Sequence, residues 1–227
     1  MQVGAVIVAA GRSSRMGDFK PMLNIGSISI AQRIVATFHQ AGITRIVVVT
    51  GYNAQLLERH LANNGLVFLR NEDYATTQMF DSAKIGLNYL KDKCDRILFT
   101  PVDIPLFTAL TVTELIESGA ELACPVCQGQ TGHPLMIASS LVDGILADSG
   151  EGGLQGAIRR LEIEMTQIPV DDAGILHDAD RAAVARGIVA DRTYLPLRKV
   201  LAALAAVNVF PGVDQRLCKV LDCLRIH

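Results

Sequence analysis

Apolar residues along this chain fall in short runs that alternate with stretches of helical period. Val3 to Val8 opens the pattern, and its valine and isoleucine content predicts a buried strand. Ile30, Ile34, Val35 and Phe38 then recur at helical spacing within Ile28 to Ala41, which Gly42 closes. Thr44 to Thr50 predicts a second buried strand. Ala54 to Ala62 follows the turn Gly51-Tyr52-Asn53 as a short amphipathic helix, and Leu66 to Leu69 is a third strand. Thr76 to Leu90 reads as a helix with a polar start, and Arg96 to Val102 as a fourth strand. This alternation predicts an α/β fold, Rossmann-like, with three layers and a mostly parallel (mixed) sheet joined by right-handed crossovers.

The pattern continues with a helix over Thr111 to Ser118, a strand over Glu121 to Val126, and helices over Leu141 to Ala147 and Gly152 to Arg160. A late strand, Ile163 to Val170, extends toward Leu176, and Arg181 to Val189 is the last helix of the repeat. Two short helical patterns, Arg198 to Val207 and Asp214 to Leu224, are then broken by Phe210-Pro211-Gly212. The expected division is a domain over residues 1–190 and a helical C-terminal extension over 191–227.

Composition narrows the class. Half of the 227 residues are hydrophobic and mean hydropathy is +0.31, yet no apolar run reaches the roughly 18 to 20 residues of a membrane span. The first apolar run lacks a charged segment ahead of it and ends in Gly11-Arg12 rather than a cleavage site, so a cytoplasmic location is the expectation. With 21 basic and 23 acidic residues the net charge is −2, which offers no general pull toward nucleic acid. Five cysteines are too few and too uneven for a disulfide framework. Cys124-Pro125-Val126-Cys127 has the CxxC spacing but no second pair, so packing at a strand end is its expected role.

Candidate chemistry begins where the first strand ends. Ala9, Ala10, Gly11, Ser13, Ser14 and Gly17 would let backbone N–H groups approach a ligand, and Arg12, Arg15 and Lys20 add three cations to the same loop. That combination suits a polyphosphate; the alternative is an ordinary strand-to-helix turn with solvated cations. Asp103 stands just beyond the fourth strand, where open α/β sheets bind ligands, and Pro101 and Pro105 fix its backbone. Its alternative is a turn residue capping the next helix.

The stretch AAGRSSRMGDFKPML resembles the signature of the MobA-like nucleotidyltransferases, in particular the molybdenum cofactor cytidylyltransferases, which runs Leu-Ala-Ala-Gly-x-Ser-x-Arg-Met-Gly-x-x-Lys-x-Leu. It is neither a Walker loop nor a GxGxxG fingerprint. The resemblance implies a nucleotide-diphospho-sugar transferase type of fold. It places the Ala9, Ala10 and Gly11 backbone at base and sugar and Arg15 and Lys20 on the triphosphate, where these two, with Asp103, are the expected catalytic residues and stabilise the departing pyrophosphate; Arg12 and Ser13 are expected to bind the nucleotide as well. Ala9-Ala10, where guanylyl-transferring relatives have Gly-Gly, tilts the choice to CTP. Asn71 and Ser82 match family positions beside the nucleotide, with loop and helix-surface polarity as their alternative. Asp103 matches the metal-binding Asp, and Asp180 the second Asp at the metal, although Arg181 and Ala182 depart from the family pattern; Asp178 is read as a helix N-cap. Gly132 and His133 match the Gly-His-Pro on the acceptor side, where His133 could donate to a phosphate or shape the loop with Pro134.

The activity implied by the resemblance is transfer of CMP from CTP to a phosphorylated acceptor, the molybdopterin form of the molybdenum cofactor, with Mg²⁺ held by Asp103 and Asp180. A molybdoenzyme or its chaperone is the implied partner. Two other functions stay open: transfer to a sugar phosphate or other small phosphate, and a non-catalytic nucleotide- or cofactor-binding regulatory module. Residues 196–213 are faintly similar to the start of the winged helix domain of molybdate-responsive regulators; without a recognition helix, DNA binding is not expected, and a packing or dimerising tail is the other reading.

Overall fold

The computed structural model describes residues 1–12 and 19–179. The expected last helix and the C-terminal extension lie outside the described residues. β1 (Val3–Ala9) is followed by a small hairpin of β2 (Asn24–Ile25) and β3 (Ile28–Ser29), then α1 (Ile30–Gln40) and β4 (Arg45–Thr50). Next come α2 (Ala54–His60), β5 (Val67–Arg70), α3 (Met79–Leu90), β6 (Arg96–Pro101) and α4 (Ala109–Glu117). β7 (Leu122–Cys127), β8 (Gln130–Thr131), β9 (Leu135–Ala138), α5 (Val142–Ala147), α6 (Gly153–Arg160) and β10 (Thr166–Pro169) complete the described elements.

Eight strands form one sheet in the order β10-β7-β9-β6-β1-β4-β5, with β8 attached to β7. β1 pairs in parallel with β4 and with β6, which sets Ala9 level with Thr50 and Val8 level with Pro101. The chain runs outward from β1 through β4 to β5, then crosses back to β6 on the other side of β1. Strand order therefore reverses at β1, and a crevice opens beyond the carboxyl ends of β1 and β6. β9 lies antiparallel between β6 and β7, which makes the sheet mixed.

Helices cover both faces. Ala5, Ile7 and Ala9 of β1 pack with Ala31, Ile34, Val35 and Phe38 of α1 and with Leu57, Val112 and Leu115 on one side. Val6 and Val8 pack with Phe80, Ala83, Leu87 and Leu90 of α3 and with Val142, Ile145 and Ala157 on the other. This double burial is why β1 is uniformly apolar instead of alternating. α1 starts at a reciprocal cap: Ser29 Oγ accepts from Gln32 N at 3.1 Å, and Gln32 Oε1 accepts from Ser29 N at 3.0 Å.

Three local expectations are corrected. The helix expected from Ile28 is preceded by the β2–β3 hairpin, whose Gly26-Ser27 turn has Gly26 at φ +65°, a conformation glycine adopts without penalty. The helix expected from Thr76 begins at Met79, because the Asp81 carboxylate accepts from Gln78 N and caps it there. The segment expected to extend toward Leu176 instead coils into a 3₁₀ turn, Ala173–Leu176, because Asp172 Oδ1 accepts from Gly174 N at 2.9 Å. Cys124 and Cys127 are buried and free on β7, and an odd separation along a strand puts them on opposite faces, so they do not form a pair.

Candidate functional site

The loops leaving β1, β4, β5 and β6 are tied together at the carboxyl edge of the sheet. Tyr52 N donates to Ala10 O at 3.0 Å, Asn71 N to Thr50 O at 2.8 Å and Val102 N to Val8 O at 3.0 Å. Gly51 allows the approach, since a Cβ there would lie 2.7 Å from both Ala10 O and Tyr74 Cβ. Ala9 and Ala10 are buried in this crossing, and the Ala10 carbonyl is already used. Gly11 and Arg12 are exposed beyond it, and the space where a Gly11 side chain would stand is open. The Arg12 guanidinium lies 5.5 Å from the centre of the Tyr74 ring.

Lys20 comes to the same place from the far end of the loop. A 3₁₀ turn, Lys20–Met22, carries it, anchored by buried Pro21. Its ammonium donates to Asp178 Oδ1, 158 residues away in sequence. Asp178 is held there because Ala179, fully buried with Ile25 and Ile30, donates its N–H to Asp103 O at 2.8 Å. Lys20 is 12% exposed and Asp178 58%. Burial raises the Asp103 carboxyl above its ordinary value, the nearby Asp178 charge raises it further, and Lys20 opposes both. One lysine thus stands among two carboxylates at the carboxyl end of β6.

Asn71 and Ser82 meet in a buried network under the crevice. Asn71 Nδ2 donates to Ser82 Oγ at 3.0 Å and to Thr77 Oγ1 at 2.9 Å, and its carbonyl accepts from Asp73 N at 3.1 Å. With both amide hydrogens used internally, Asn71 orders residues 71–77 and offers no free donor. Beside it an open cleft of about 440 Å³ is lined by Gly51, Asn53, Arg59 and Arg70. Arg70 is taken up there by a bidentate pair with Glu58 at 2.8 and 2.7 Å.

Gly132 and His133 lie on the other side, against the turn at residues 173–176. His133 N donates to Ile175 O at 3.1 Å and Gly132 N to Pro125 O at 2.9 Å. Burial lowers the His133 pKa, while a hydrogen bond to the Phe99 backbone partly opposes it. A neutral ring bonded to Phe99 has no second N–H for a phosphate. Of the two roles open to His133, loop shaping is the one this geometry favours. A Cβ on Gly132 would fall 2.4 Å from Ile175 O. Gly132→Ala is therefore expected to cost about 1–3 kcal/mol through overpacking, read as a Tm lower by several degrees.

Ser13, Arg15 and Asp180 lie outside the described residues. Sequence reading missed Asp178 as a neighbour of Lys20 and Asp103, because a carboxylate before a helix reads first as a cap; its place in Asp178-Ala179-Asp180 was the available signal. It also missed Asp172, which accepts from Thr108 N at 2.8 Å and Thr111 Oγ1 at 2.6 Å besides Gly174 N, so it buckles the start of α4 to the turn that carries Ile175.

Residues 5–165 match the family model described as the MobA-like NTP transferase domain. The chain is 30% identical over 119 residues to the bifunctional protein GlmU of Staphylococcus haemolyticus, covering 52% of this chain and 26% of that protein. It thus spans about a quarter of the length of the first curated relatives it matches. It is 29% identical over 178 residues to the molybdenum cofactor cytidylyltransferase of Escherichia coli, covering 74% of this chain and 90% of the relative. Its fold is similar to that of Rv0371c from Mycobacterium tuberculosis in complex with manganese, with TM-score 0.69, 18% identity and coverage of 84% of this chain and 99% of the other.

Proposed function

Because the chain belongs to the MobA-like NTP transferase family, we propose that it transfers CMP from CTP to the molybdopterin form of the molybdenum cofactor and releases pyrophosphate. The observation that carries this reading is Lys20 paired with Asp178 beside Asp103, beyond β6. An oxygen of the acceptor's phosphate attacks the α-phosphorus of CTP. A new P–O bond forms as the bond to the β-phosphate breaks, and pyrophosphate leaves with the bonding electrons. A phosphate monoester arrives as an anion and needs no general base, which agrees with a His133 ring that burial keeps neutral.

Charge management is then the chain's main task. Lys20 leaves Asp178 for the β- and γ-phosphates and stabilises the departing pyrophosphate. Arg12 lies at the opposite end of the loop and steadies the triphosphate from there. Among the described residues no group of three or more His, Cys, Asp or Glu side chains converges. Two carboxylates are a fitting donor set for Mg²⁺, which keeps waters and phosphate oxygens as its other ligands. Asp103 and Asp178, with Asp180 as the further candidate, would hold the ion; bound, it supplies neutralisation of phosphate charge.

The test is to supply Mg²⁺ with each labelled triphosphate in turn, adding the molybdopterin cofactor, a sugar 1-phosphate, or no acceptor. Pyrophosphate release with CTP and the cofactor together is the expected result. Release only with a sugar 1-phosphate selects the second reading. Triphosphate binding without turnover on any acceptor selects the regulatory one.

A further inference from the structure

Four side chains at the mouth of the crevice form a continuous row. The Phe19 and Tyr52 rings meet edge to face at 5.8 Å, Tyr52 and Tyr74 at 6.2 Å, and Arg12 lies over Tyr74 at 5.5 Å. Arg12 follows β1 by three residues, and Lys20 follows Phe19 directly. Arg12 and the residue before Lys20 are therefore both referred to one pair of tyrosines. The tyrosines are themselves fixed: Tyr52 N is bonded to Ala10 O, Tyr74 N to Asn71 O at 3.3 Å, and Gly51 brings their two loops into contact.

We propose that Tyr52 and Tyr74 are positioning residues that set the separation of Arg12 and Lys20 for a triphosphate, acting through ring contacts and not by touching substrate. Edge-to-face and cation–π contacts orient their partners without forming a covalent or strongly polar bond. The inference rests on the reading of this crevice as a triphosphate site. Tyr52 is the central member, because it touches both Phe19 and Tyr74, so its loss uncouples the two cations. The hydroxyls play no part, and rings without them should serve equally well.

The test measures binding of CTP and of each other nucleoside triphosphate with Mg²⁺ by calorimetry, alongside thermal melts. Tyr52→Leu, which keeps bulk without a ring, is expected to weaken the tightest triphosphate about tenfold while KM for the acceptor stays within twofold. Tyr52→Phe should restore wild-type binding. Tyr74→Leu should cost about threefold when Arg12 is present and nothing in an Arg12→Met background, which a merely structural tyrosine would not show. Unchanged affinity in Tyr52→Leu, or equal losses from Tyr74→Leu in both backgrounds, overturns the positioning role alone. Failure of the unaltered chain to bind any triphosphate overturns the site reading with it.

Discussion

Asp103→Asn is expected to lower the transfer rate by about a thousandfold while raising stability. The carboxylate is half-buried at the end of β6, and burial, then the charge of Asp178, disfavours its ionised form, with Lys20 compensating in part. A group with a raised folded-state pKa binds its proton more tightly in the folded chain. Its contribution to stability is present below the ordinary value of 3.8 and is lost as pH rises through the raised value. At neutral pH the charge is a burden on the fold that Lys20 relieves only in part. Asparagine keeps the shape and removes that burden, so Tm should rise by roughly 2–4 °C, about 1 kcal/mol for a domain of this size. The unaltered protein should lose transfer rate on acidification earlier than an ordinary exposed carboxylate would dictate. Pyrophosphate release, melts at neutral pH and a pH–rate profile measure all three, and normal turnover in the variant would remove Asp103 from the metal.

Lys20→Ala carries the second large effect, a loss of about 10² to 10³-fold in kcat/KM for the triphosphate. Its cost to folding should be small. Lys20 is largely buried but Asp178 is mostly exposed, so solvent screens the pair, and such partly exposed ion pairs contribute about 1 kcal/mol. A second consequence separates Lys20 from a generic phosphate contact. Removing the cation that lowers the Asp103 pKa leaves two carboxylates facing each other, so the acid limb of the pH–rate profile should move to higher pH. An unmoved acid limb would show that Lys20 and Asp103 are uncoupled in solution.

Much of the framework was legible from local pattern. The apolar run of β1, the 3.6 period of α1 and the strand that delivers Asp103 are recorded in consecutive residues, because burial on two faces or on one stripe imposes its own spacing. Arg12 and Lys20 were legible as charges that flank one short segment after β1, because residue type alone carries a charge. Asp178 was not. Its relation to Lys20 spans 158 residues and depends on Ala179 seating between the β2–β3 hairpin and the Asp103 loop. Asn71 and Ser82 were found as polar positions of interest, but only the bonds from Asn71 to Ser82 and Thr77 show that the Asn71 amide donors are spent inside the protein.

By itself, then, the order of residues determined the α/β alternation, the cation-bearing loop and the aspartate at the end of β6, since each depends on near neighbours along the chain. Tertiary structure alone decided that β9 enters antiparallel between β6 and β7, that Tyr52 and Tyr74 join the two ends of the loop, and that a second carboxylate faces Lys20. Those are meetings between distant segments, settled by which surfaces pack most closely, and no local period or propensity records them.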